Sequence, residues 1–433
     1  MHILVISHFF PPLNSVASLR PYSWAKYWPR KGHHVHVLTT QKYRFDGPLD
    51  LRVHRLPGVE ISEIAYLPAF VRSSLNNLRW YGTGSSSGGN PSPHWSTAKK
   101  AGAFLRKKLG ALGDTSTLWV RPAIRCGVDI ITNLDPDVIV STQGPPACHL
   151  IAARLKKKLK HAQWVADYRD LWTGNHLSTP WKGISLIQKK LERTLLSGCD
   201  LITTISRPLA EFLERNFDKP TAVVENGFDP GDHEDLPQER LFPPDGILRL
   251  VYTGTIYPGK RDPSPLFAAV KSLETEGVLS PKECQLIFYG GISGNLRDLV
   301  DRWGLSNSVE LIGHVDRPTA LRAQRDADGL IFLEWNDPSA RGVLTGKIFE
   351  YVISGKPILG IGIEEGKTES ARLIRALQAG ECLGHDVQRI KNCILEIKNR
   401  RSRPRGSLKA EFIRGFTRES LALKYLSLLE SQK

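Results

Sequence analysis

The chain has 433 residues, more than the roughly 250 to 300 at which a single hydrophobic core stops growing, so we expect two domains. Apolar residues make up 41% and charged residues 24%, which excludes a disordered or fibrous chain. The six cysteines lack C-x-x-C spacing, which argues against zinc or redox sites and favours a reducing compartment. The amino terminus shows neither a signal peptide nor a membrane span, so a cytoplasmic protein is expected.

The formal net charge of +15 favours anionic partners in general. Nucleic acid, an acidic lipid surface and phosphate-bearing substrates all fit this charge, and the charge alone does not choose among them. Basic clusters at residues 106–108, 156–158 and 400–405 fall on or beside predicted helices. We interpret them as solvated helix faces.

Short β-branched runs bounded by turn residues predict buried strands in the first half of the chain. They lie at residues 2–7, 33–40, 137–142, 163–167, 201–206 and 221–226. Segments of helical period separate them, for instance residues 149–159 and 184–198. Strands that alternate with helices indicate a parallel sheet covered by helices, so we expect an amino-terminal Rossmann-like domain over residues 1–230.

An insertion interrupts this pattern at about residues 60–118 and contains the low-complexity stretch Gly82 to Pro93. On both sides of that stretch, apolar residues recur at roughly helical spacing with basic residues between them. Helices that pack on the domain explain this pattern. A surface that faces a membrane or an acceptor is the alternative.

A polar, proline-bearing linker is expected at residues 231–246, and the alternation restarts after it. Strands are predicted at residues 248–254, 284–290, 309–315, 329–335 and 356–362, and helices near residues 263–275, 295–303, 317–326, 343–354 and 367–378. We therefore expect a second doubly wound α/β domain over residues 247–406, in series with the first across an interdomain cleft. A carboxyl-terminal helix should follow within residues 407–433, and periodicity does not reveal where it packs.

Open parallel sheets bind ligands at the carboxyl ends of their strands. After the first strand, the loop at residues 8–15 enters a helix whose amino terminus can receive an anion. Pro12, Asn14 and Ser15 in this loop, and Gln143 after the third strand, are candidate acceptor contacts. The loop has no G-x-G-x-x-G fingerprint, which argues against an NAD-binding dehydrogenase.

In the second domain, the first strand runs into a glycine-containing loop that ends in Lys260 and Arg261. Such cations can neutralise a diphosphate, although surface cations after a turn are also common. Residues 342–358 add a helix whose first amides, together with Lys347, can address a phosphate. Glu350, one turn later, can accept hydrogen bonds from both hydroxyls of a ribose.

The segment K-I-F-E-Y-V-I-S-G-K-P-I-L at residues 347–359 resembles family 4 glycosyltransferases, which have the two-domain GT-B fold. Supporting matches are F-F-P-P at 9–12, K-G-H-H-V at 31–35, V-E-N-G-F-D at 224–229 and Y-T-G-T at 252–255. The resemblance covers nearly the whole chain. It implies a nucleoside-diphosphate sugar held by the second domain, a hydroxyl acceptor held by the first, and transfer with retention of configuration, without a metal or other cofactor.

The resemblance assigns the donor contacts to the second domain. Glu350 is expected to bind the ribose. The diphosphate contacts are expected to be Lys260, Arg261 and Lys347. The base and the remaining donor contacts are expected at Gly313, His314, Val315, Thr255, Thr345 and Gly346.

Two positions depart from the family's pattern. Gly342 stands where the family has a second glutamate eight positions before Glu350, so residues 345–347 are candidates to replace its donor-sugar contacts. Many members carry a first-domain histidine near the reacting centre, where this chain has S-T-Q-G-P-P at residues 141–146. His149 is close in sequence, and we interpret it as a histidine on a helix surface.

A polar cluster containing Asp167, Arg169, Asp170 and Trp172 follows the strand at 163–167. Unpaired charges are costly to desolvate, so mutual salt bridges are one expectation. In the functional alternative, Asp167 or Asp170 contacts sugar hydroxyls, Arg169 orients them, and Trp172 offers an apolar platform. With Lys347, the three charged residues are the candidate catalytic groups.

No side chain in these motifs is clearly a base, and the leaving phosphate is a candidate to take the proton. Acceptors in this family include polysaccharides, lipid-linked glycans and small metabolites, and the basic insertion favours an acceptor at a membrane with peripheral contact by the protein. A nucleotide-sugar epimerase or hydrolase on the same fold, and a noncatalytic basic protein that binds RNA or a membrane, are the alternatives. We expect a nucleoside-diphosphate sugar as partner and no nucleic acid.

Overall fold

The computed structural model describes residues 1–67 without 45, 52 and 54, residues 108–176, 178–257, 259–291 and 294–335, residue 340, and residues 342–364, 366–399 and 410–431. The described residues form two compact units. Unit 1 contains those up to Glu225 and those from Arg418 onward, and unit 2 runs from Asn226 to Thr417. The stretch Gly82 to Pro93, most of the helical patterns beside it, and the basic residues 106–107 and 400–405 lie outside the described residues.

Unit 1 is built on a seven-stranded parallel sheet in the order β3-β2-β1-β4-β5-β6-β7. The strands are β1 (His2–Ile6), β2 (His34–Thr40), β3 (Val59–Ile64), β4 (Val138–Thr142), β5 (Gln163–Tyr168), β6 (Leu201–Thr204) and β7 (Thr221–Val223). Its helices are α1 (Val16–Tyr27), α2 (Thr117–Leu134), α3 (Ala147–Lys158), α4 (Lys182–Leu196), α5 (Arg207–Phe217) and, from the end of the chain, α14 (Arg418–Glu430). Short 3₁₀ turns lie at Pro29–Lys31 and Gly110–Gly113.

Helices pack on both faces of this sheet because alternate side chains of each strand point to opposite faces. Ile3 and Val5 of β1 join a core with aromatic residues of α1 and α14, whereas Leu4 and Ile6 join a second core with α2 and α3. Six of the seven strands lie within a few residues of their predicted positions. The edge strand β3 was not predicted, because V-E-I-S-E-I places polar and half-exposed side chains at the start of the expected insertion.

Unit 2 contains a six-stranded parallel sheet in the order β10-β9-β8-β11-β12-β13. The strands are β8 (Leu248–Thr253), β9 (Cys284–Tyr289), β10 (Val309–Gly313), β11 (Gly329–Leu333), β12 (Ile358–Ile361) and β13 (Gly380–Gly384). The helices are α6 (Gly231–Glu234), α7 (Ser264–Thr275), α8 (Gly294–Trp303), α9 (Arg317–Asp326), α10 (Lys347–Ile353), α11 (Glu369–Ala376), α12 (Val387–Asn399) and α13 (Ala410–Gly415). All five predicted strands and all five predicted helices of this unit are present, while β13, α12 and the short helix α6 within the expected linker were not predicted.

The single carboxyl-terminal helix that was expected is two helices. α13 ends at Gly415 in unit 2, and α14 begins at Arg418 in unit 1. The indole N–H of Trp28, just after α1, donates to the carbonyl of Ala422 at 2.8 Å, and Tyr425 packs against Trp24 and Trp28. The last helix therefore completes the core of the first unit. No described helix is long and apolar enough to cross a bilayer.

Candidate functional site

The carboxylate of Asp167 lies at the end of β5 and is completely buried. The register of the sheet places Thr142 of β4 and Thr203 of β6 beside it, and their hydroxyls donate to it at 3.0 and 2.8 Å. Arg20 of α1 donates from Nη2 at 2.7 Å and from Nε at 3.1 Å. Asp167 is thus fully engaged, so the salt-bridge expectation holds for it, with Arg20 as the partner in place of Arg169.

Arg20 also ties together three segments of unit 1. Its Nη1 donates to the carbonyls of Val224 and Glu225 at 3.0 Å each. Burial by itself would lower the pKa of Arg20, but Asp167 outweighs this effect and raises it, so the guanidinium stays charged. Sequence patterns missed Arg20, and the available signal was a cation in the middle of a mostly apolar helix.

Arg169 and Asp170 stand at the same edge of the sheet and remain accessible. Arg169 Nη2 lies 2.7 Å from Asp170 Oδ2, and the two side chains are 19% and 34% exposed. The Arg169 guanidinium also sits 5.9 Å from the centre of the Phe9 ring, in the loop after β1. These two charged side chains of the predicted cluster can therefore reach a ligand directly.

The expected acceptor contacts after β1 and β4 are all near strand ends. Pro12 is exposed, the Asn14 amide donates to Asp50 at 2.9 Å, and the Ser15 hydroxyl caps α1 by accepting from Ala17 at 3.2 Å. Gln143 is buried, and its side-chain oxygen has no hydrogen-bond partner among the described residues.

Two aromatic expectations in unit 1 need correction. Trp172 is only 6% exposed and belongs to the core, so it does not present an open sugar platform. His149 is completely buried instead of lying on a helix surface; its Nδ1 and the Ser141 hydroxyl share a hydrogen bond of 2.8 Å. Burial lowers the pKa of His149 to about 3, which identifies a neutral core histidine.

Lys347 and Arg261 come together at the carboxyl edge of the second sheet. Lys347, the first residue of α10, places its ammonium 4.1 Å from the centre of the Tyr252 ring at the end of β8. Arg261 donates to the Tyr252 hydroxyl at 3.3 Å and to the Thr255 carbonyl at 2.9 Å. Burial and then Arg261 lower the pKa of Lys347 well below its ordinary value, although Glu350 offsets part of this effect. Two cations in one desolvated place are typical of an anion site.

Two glycines allow the loops after β8 and β9 to pack closely at this edge. Gly254, after β8, has φ +127°, and a Cβ there would collide with the Lys347 ammonium. Gly290, after β9, has φ +117°, and a Cβ there would collide with the backbone of Gly254. Both positions require the left-handed region that only glycine adopts readily.

Glu350 has a cationic partner of its own. Arg317, the first residue of α9, contacts Glu350 Oε1 at 2.7 Å and Asp232 of α6 at 2.7 Å. Gln324 approaches Glu350 Oε2 at 3.4 Å and the Thr253 hydroxyl at 3.0 Å. Although burial alone would lower the pKa of Arg317, the carboxylates raise it. The sequence missed this arginine because its partners lie in other segments.

The remaining expected donor residues surround the same edge. Gly313 ends β10 with φ +89°, His314 is exposed, and Val315 is partly buried before α9. Thr255, Lys260, Thr345 and Gly346 are partly buried, and Gly342 is buried with φ +88°. The helix predicted to begin near residue 343 begins at residue 347 and spans seven residues.

Several buried polar atoms at this edge lack hydrogen-bond partners among the described residues. They are Arg261 Nε, Thr345 Oγ1, Arg317 Nε and Gln324 Oε1. Such atoms are rare in native proteins, and ligands or ordered water commonly satisfy them. Among the described residues, no group of three or more His, Cys, Asp or Glu side chains is arranged to hold a metal ion.

Comparison with known proteins agrees with this architecture. Residues 18–227 match the glycosyl transferase 4-like domain. No curated protein sequence is significantly similar to the chain. Similar solved structures include sucrose-phosphate synthase from Thermosynechococcus elongatus, with a TM-score of 0.60 at 14% identity over 100% of this chain and 99% of that one.

Two further structures are similar over nearly their full lengths. Anabaena HepE in complex with UDP has a TM-score of 0.54 at 14% identity, with both chains covered completely. WaaG, a glycosyltransferase involved in lipopolysaccharide biosynthesis, has a TM-score of 0.52 at 12% identity, with 99% of each chain covered. These identities show the fold alone: the chain has the two Rossmann-like units of the GT-B fold, as the sequence predicted.

Proposed function

We propose that this protein is a retaining, family 4 glycosyltransferase that moves a sugar from a nucleoside-diphosphate sugar to a hydroxyl acceptor. The observation that carries the proposal is the pair Lys347 and Arg261 at the carboxyl edge of the unit 2 sheet. The low pKa of Lys347 reflects a charge that is costly to keep because the ammonium is buried and because it lies beside Arg261. A diphosphate would remove that cost, because its negative charge stabilises both cations.

The donor role of unit 2 gains support from Glu350 and from HepE, which has the same fold and was solved with UDP. Arg317 holds one carboxylate oxygen of Glu350 at 2.7 Å, which fixes the carboxylate. A fixed carboxylate suits the two hydroxyls of a ribose. In unit 1, Arg169 and Asp170 are the accessible charged groups for an acceptor, whereas Asp167 acts by positioning because its oxygens are already occupied.

The chemistry follows from stabilising the leaving group. The bond between the anomeric carbon and the diphosphate oxygen breaks, and the acceptor oxygen forms its bond to that carbon on the same face. The acceptor proton passes to the departing phosphate oxygen. Lys347 and Arg261 stabilise the negative charge that develops on the diphosphate, and preorganised electrostatic stabilisation of this kind commonly contributes more to enzymatic catalysis than any other effect.

The acceptor classes we propose are glycans, including polysaccharides under synthesis, lipid-linked glycans and small metabolites. The net charge of +15 favours peripheral contact with an anionic membrane surface. All six cysteines are free thiols, which suits the cytoplasm. We propose no metal requirement, since the cations of unit 2 can supply the positive charge that a metal would otherwise supply.

Calorimetric titration with UDP, GDP, ADP and dTDP and their sugars tests the donor site. A thermal-shift screen can precede the titrations. A donor present at about 100 times its dissociation constant adds about 2.7 kcal/mol to the free energy of unfolding, which such a screen detects. Lys347→Met and Arg261→Gln should each weaken diphosphate binding by about 10- to 100-fold, the value of a charge-assisted hydrogen bond. Lys282→Met and Arg297→Gln, at exposed positions of unit 2, are the matched controls.

Turnover and products separate this proposal from its rivals. Lys347→Met and Arg261→Gln should lower turnover by orders of magnitude, and near-normal rates would reject their role. Incubation with donor alone distinguishes a transferase from an epimerase or hydrolase, which would convert the donor without an acceptor. A noncatalytic basic protein would bind none of the four nucleotides.

A further inference from the structure

The outward face of helix α4 in unit 1 combines apolar and cationic side chains. Trp181, Leu186 and Ile187 are 49%, 67% and 55% exposed. They fall within seven consecutive residues, a density of large exposed apolar groups that the other described segments do not reach. Large exposed apolar residues clustered in one segment indicate an interaction surface, whereas isolated ones do not.

The helical geometry places cations around these apolar groups. Gln188, Glu192 and Leu196 form the buried side of α4 at intervals of four residues. Leu186 lies on the opposite side between Lys182 and Lys190, four residues away in each direction. Lys189 and Arg193 flank this face.

α4 itself supplies no accessible negative charge to this face. The only acidic residue of α4 is Glu192, which is 1% exposed and accepts hydrogen bonds from Tyr168 and Thr173. In the described part of the chain, Lys182, Lys189, Lys190 and Arg193 form no ion pair. Four unneutralised cations around large apolar side chains complement an anionic surface with an apolar layer beneath it.

We propose that the face formed by Trp181, Leu186 and Ile187 with the cations of α4 docks on an anionic lipid bilayer. Leu186, Ile187 and Trp181 enter the boundary between headgroups and acyl chains, and the lysines and arginine contact lipid phosphates. Charge complementarity selects this occupant, because an apolar protein partner would leave the four cations unmatched.

The position of α4 gives this surface a role in the proposed reaction, and this step rests on the proposed function. A helix that follows a parallel strand begins at the carboxyl edge of the sheet, so α4 starts at the edge where β5 presents Arg169 and Asp170. The backbone N–H of Trp181 donates to the Lys108 carbonyl at 3.1 Å, and the Gln188 amide donates to the Leu109 carbonyl at 2.8 Å. These bonds fix the start of α4 against the residues just before the 3₁₀ turn at Gly110–Gly113. An acceptor carried by a lipid requires a docking face on the same side of the sheet as the acceptor groups, which the start of α4 supplies.

Vesicle co-sedimentation of the full chain tests the docking face. We expect binding to vesicles of phosphatidylcholine mixed with phosphatidylglycerol, weakened by salt, and little binding to vesicles of phosphatidylcholine alone. Lys182→Gln combined with Lys190→Gln should weaken binding about 25-fold, at about fivefold for each cation near the surface. The matched control is Lys157→Gln combined with Lys158→Gln, an exposed pair at the end of α3 on the opposite edge of the sheet, which should bind like the parent.

Replacing two apolar residues of the face tests the apolar contribution to vesicle binding. Leu186→Ser combined with Ile187→Ser should weaken vesicle binding about tenfold or more at unchanged charge, whereas Val278→Ser, an exposed valine of unit 2, should not. Equal loss of binding in the control variants, or no binding of the parent to anionic vesicles, would overturn the proposal. A dimer in solution that the Leu186→Ser and Ile187→Ser pair dissociates would assign the face to a second copy and equally overturn it.

Nucleotide titration distinguishes failure of the docking face from failure of the proposed donor site. The α4 variants should bind UDP like the parent, because α4 lies in unit 1 and the proposed donor residues lie in unit 2. Vesicle binding by a protein that binds no nucleotide would leave the docking face standing and reject the proposed function.

Discussion

Replacing Asp167 with asparagine tests whether this residue supports the fold of unit 1 or contacts substrate. Asparagine keeps the size of the side chain but removes the negative charge opposite Arg20, whose Nη2 lies 2.7 Å from Asp167 Oδ1. It also turns one acceptor into an NH₂ donor that faces the donors of Arg20, Thr142 and Thr203. The substitution therefore leaves a buried guanidinium without its counter-charge.

The structure sets the size of the expected effect. Arg20 is 7% exposed and Asp167 is 0% exposed, and removal of one partner from such a buried pair costs about 3 to 5 kcal/mol. The neighbouring pair of Arg169 and Asp170 is 19% and 34% exposed, so Asp170→Asn should cost only about 0 to 1 kcal/mol. Two aspartates three positions apart should thus differ by at least about 2 kcal/mol.

Urea unfolding of both variants, followed by tryptophan fluorescence, measures this difference, since Trp24 and Trp28 report on unit 1. Arg20→Gln combined with Asp167→Asn should recover part of the lost stability, because no unpaired charge remains. A free energy of unfolding for Asp167→Asn within about 1 kcal/mol of the parent would refute the reasoning. If such a stable variant also lost turnover, direct contact between Asp167 and substrate would be the better account.

Three more outcomes are expected. Arg317→Leu should weaken UDP binding about tenfold in calorimetry, because Glu350 loses the cation that fixes it. Arg317→Lys should retain part of the affinity. Unchanged binding in Arg317→Leu would exclude a role for Arg317 in positioning Glu350. Burial raises the pKa of Glu192 to about 7, above its ordinary value of 4.5. Between these two pH values the folded state keeps Glu192 protonated while the unfolded state loses the proton. The free energy of unfolding should therefore fall by up to about 3 kcal/mol as pH rises from about 4.5 to about 7. Glu192→Gln should flatten this pH dependence of urea unfolding, and an unaltered slope would contradict the assignment. Gly254→Ala should abolish UDP binding, because the added Cβ would meet the Lys347 ammonium. Gly277→Ala, at φ +68° with no atom within 4 Å of the added Cβ, should cost about 1 to 2 kcal/mol of stability and leave UDP binding unchanged. Equal UDP affinities in the two variants would count against the close packing of Lys347 on Gly254.

Much of the fold was predictable because the relevant signals are local. The buried strands of both sheets carry runs such as H-I-L-V-I, and these runs identify strands without reference to the rest of the chain. The two strands that were not predicted are the ones whose local signal is weak. β3 alternates polar and apolar residues at a sheet edge, and β13 is the glycine-flanked sequence G-E-C-L-G.

The break between α13 and α14 shows where local periodicity stops being informative. Helical spacing runs almost uninterrupted through residues 409–430, so one helix was predicted. The chain instead leaves unit 2 at Thr417, and α14 packs its Tyr425 against Trp24 and Trp28. The destination of the helix depends on an apolar surface formed by residues near the other end of the chain.

Two doubly wound α/β units and the cations that follow β8 can be read from short segments, because hydrophobic period and residues at strand ends are local properties of the chain. The pairing of the charged groups depends on the folded arrangement. The sheet order places β5 between β4 and β6, so Asp167 meets two threonines, and it brings Arg20 from 147 residues away. Electrostatic partnership depends on distances in space, which the order of strands sets and the linear spacing of residues does not.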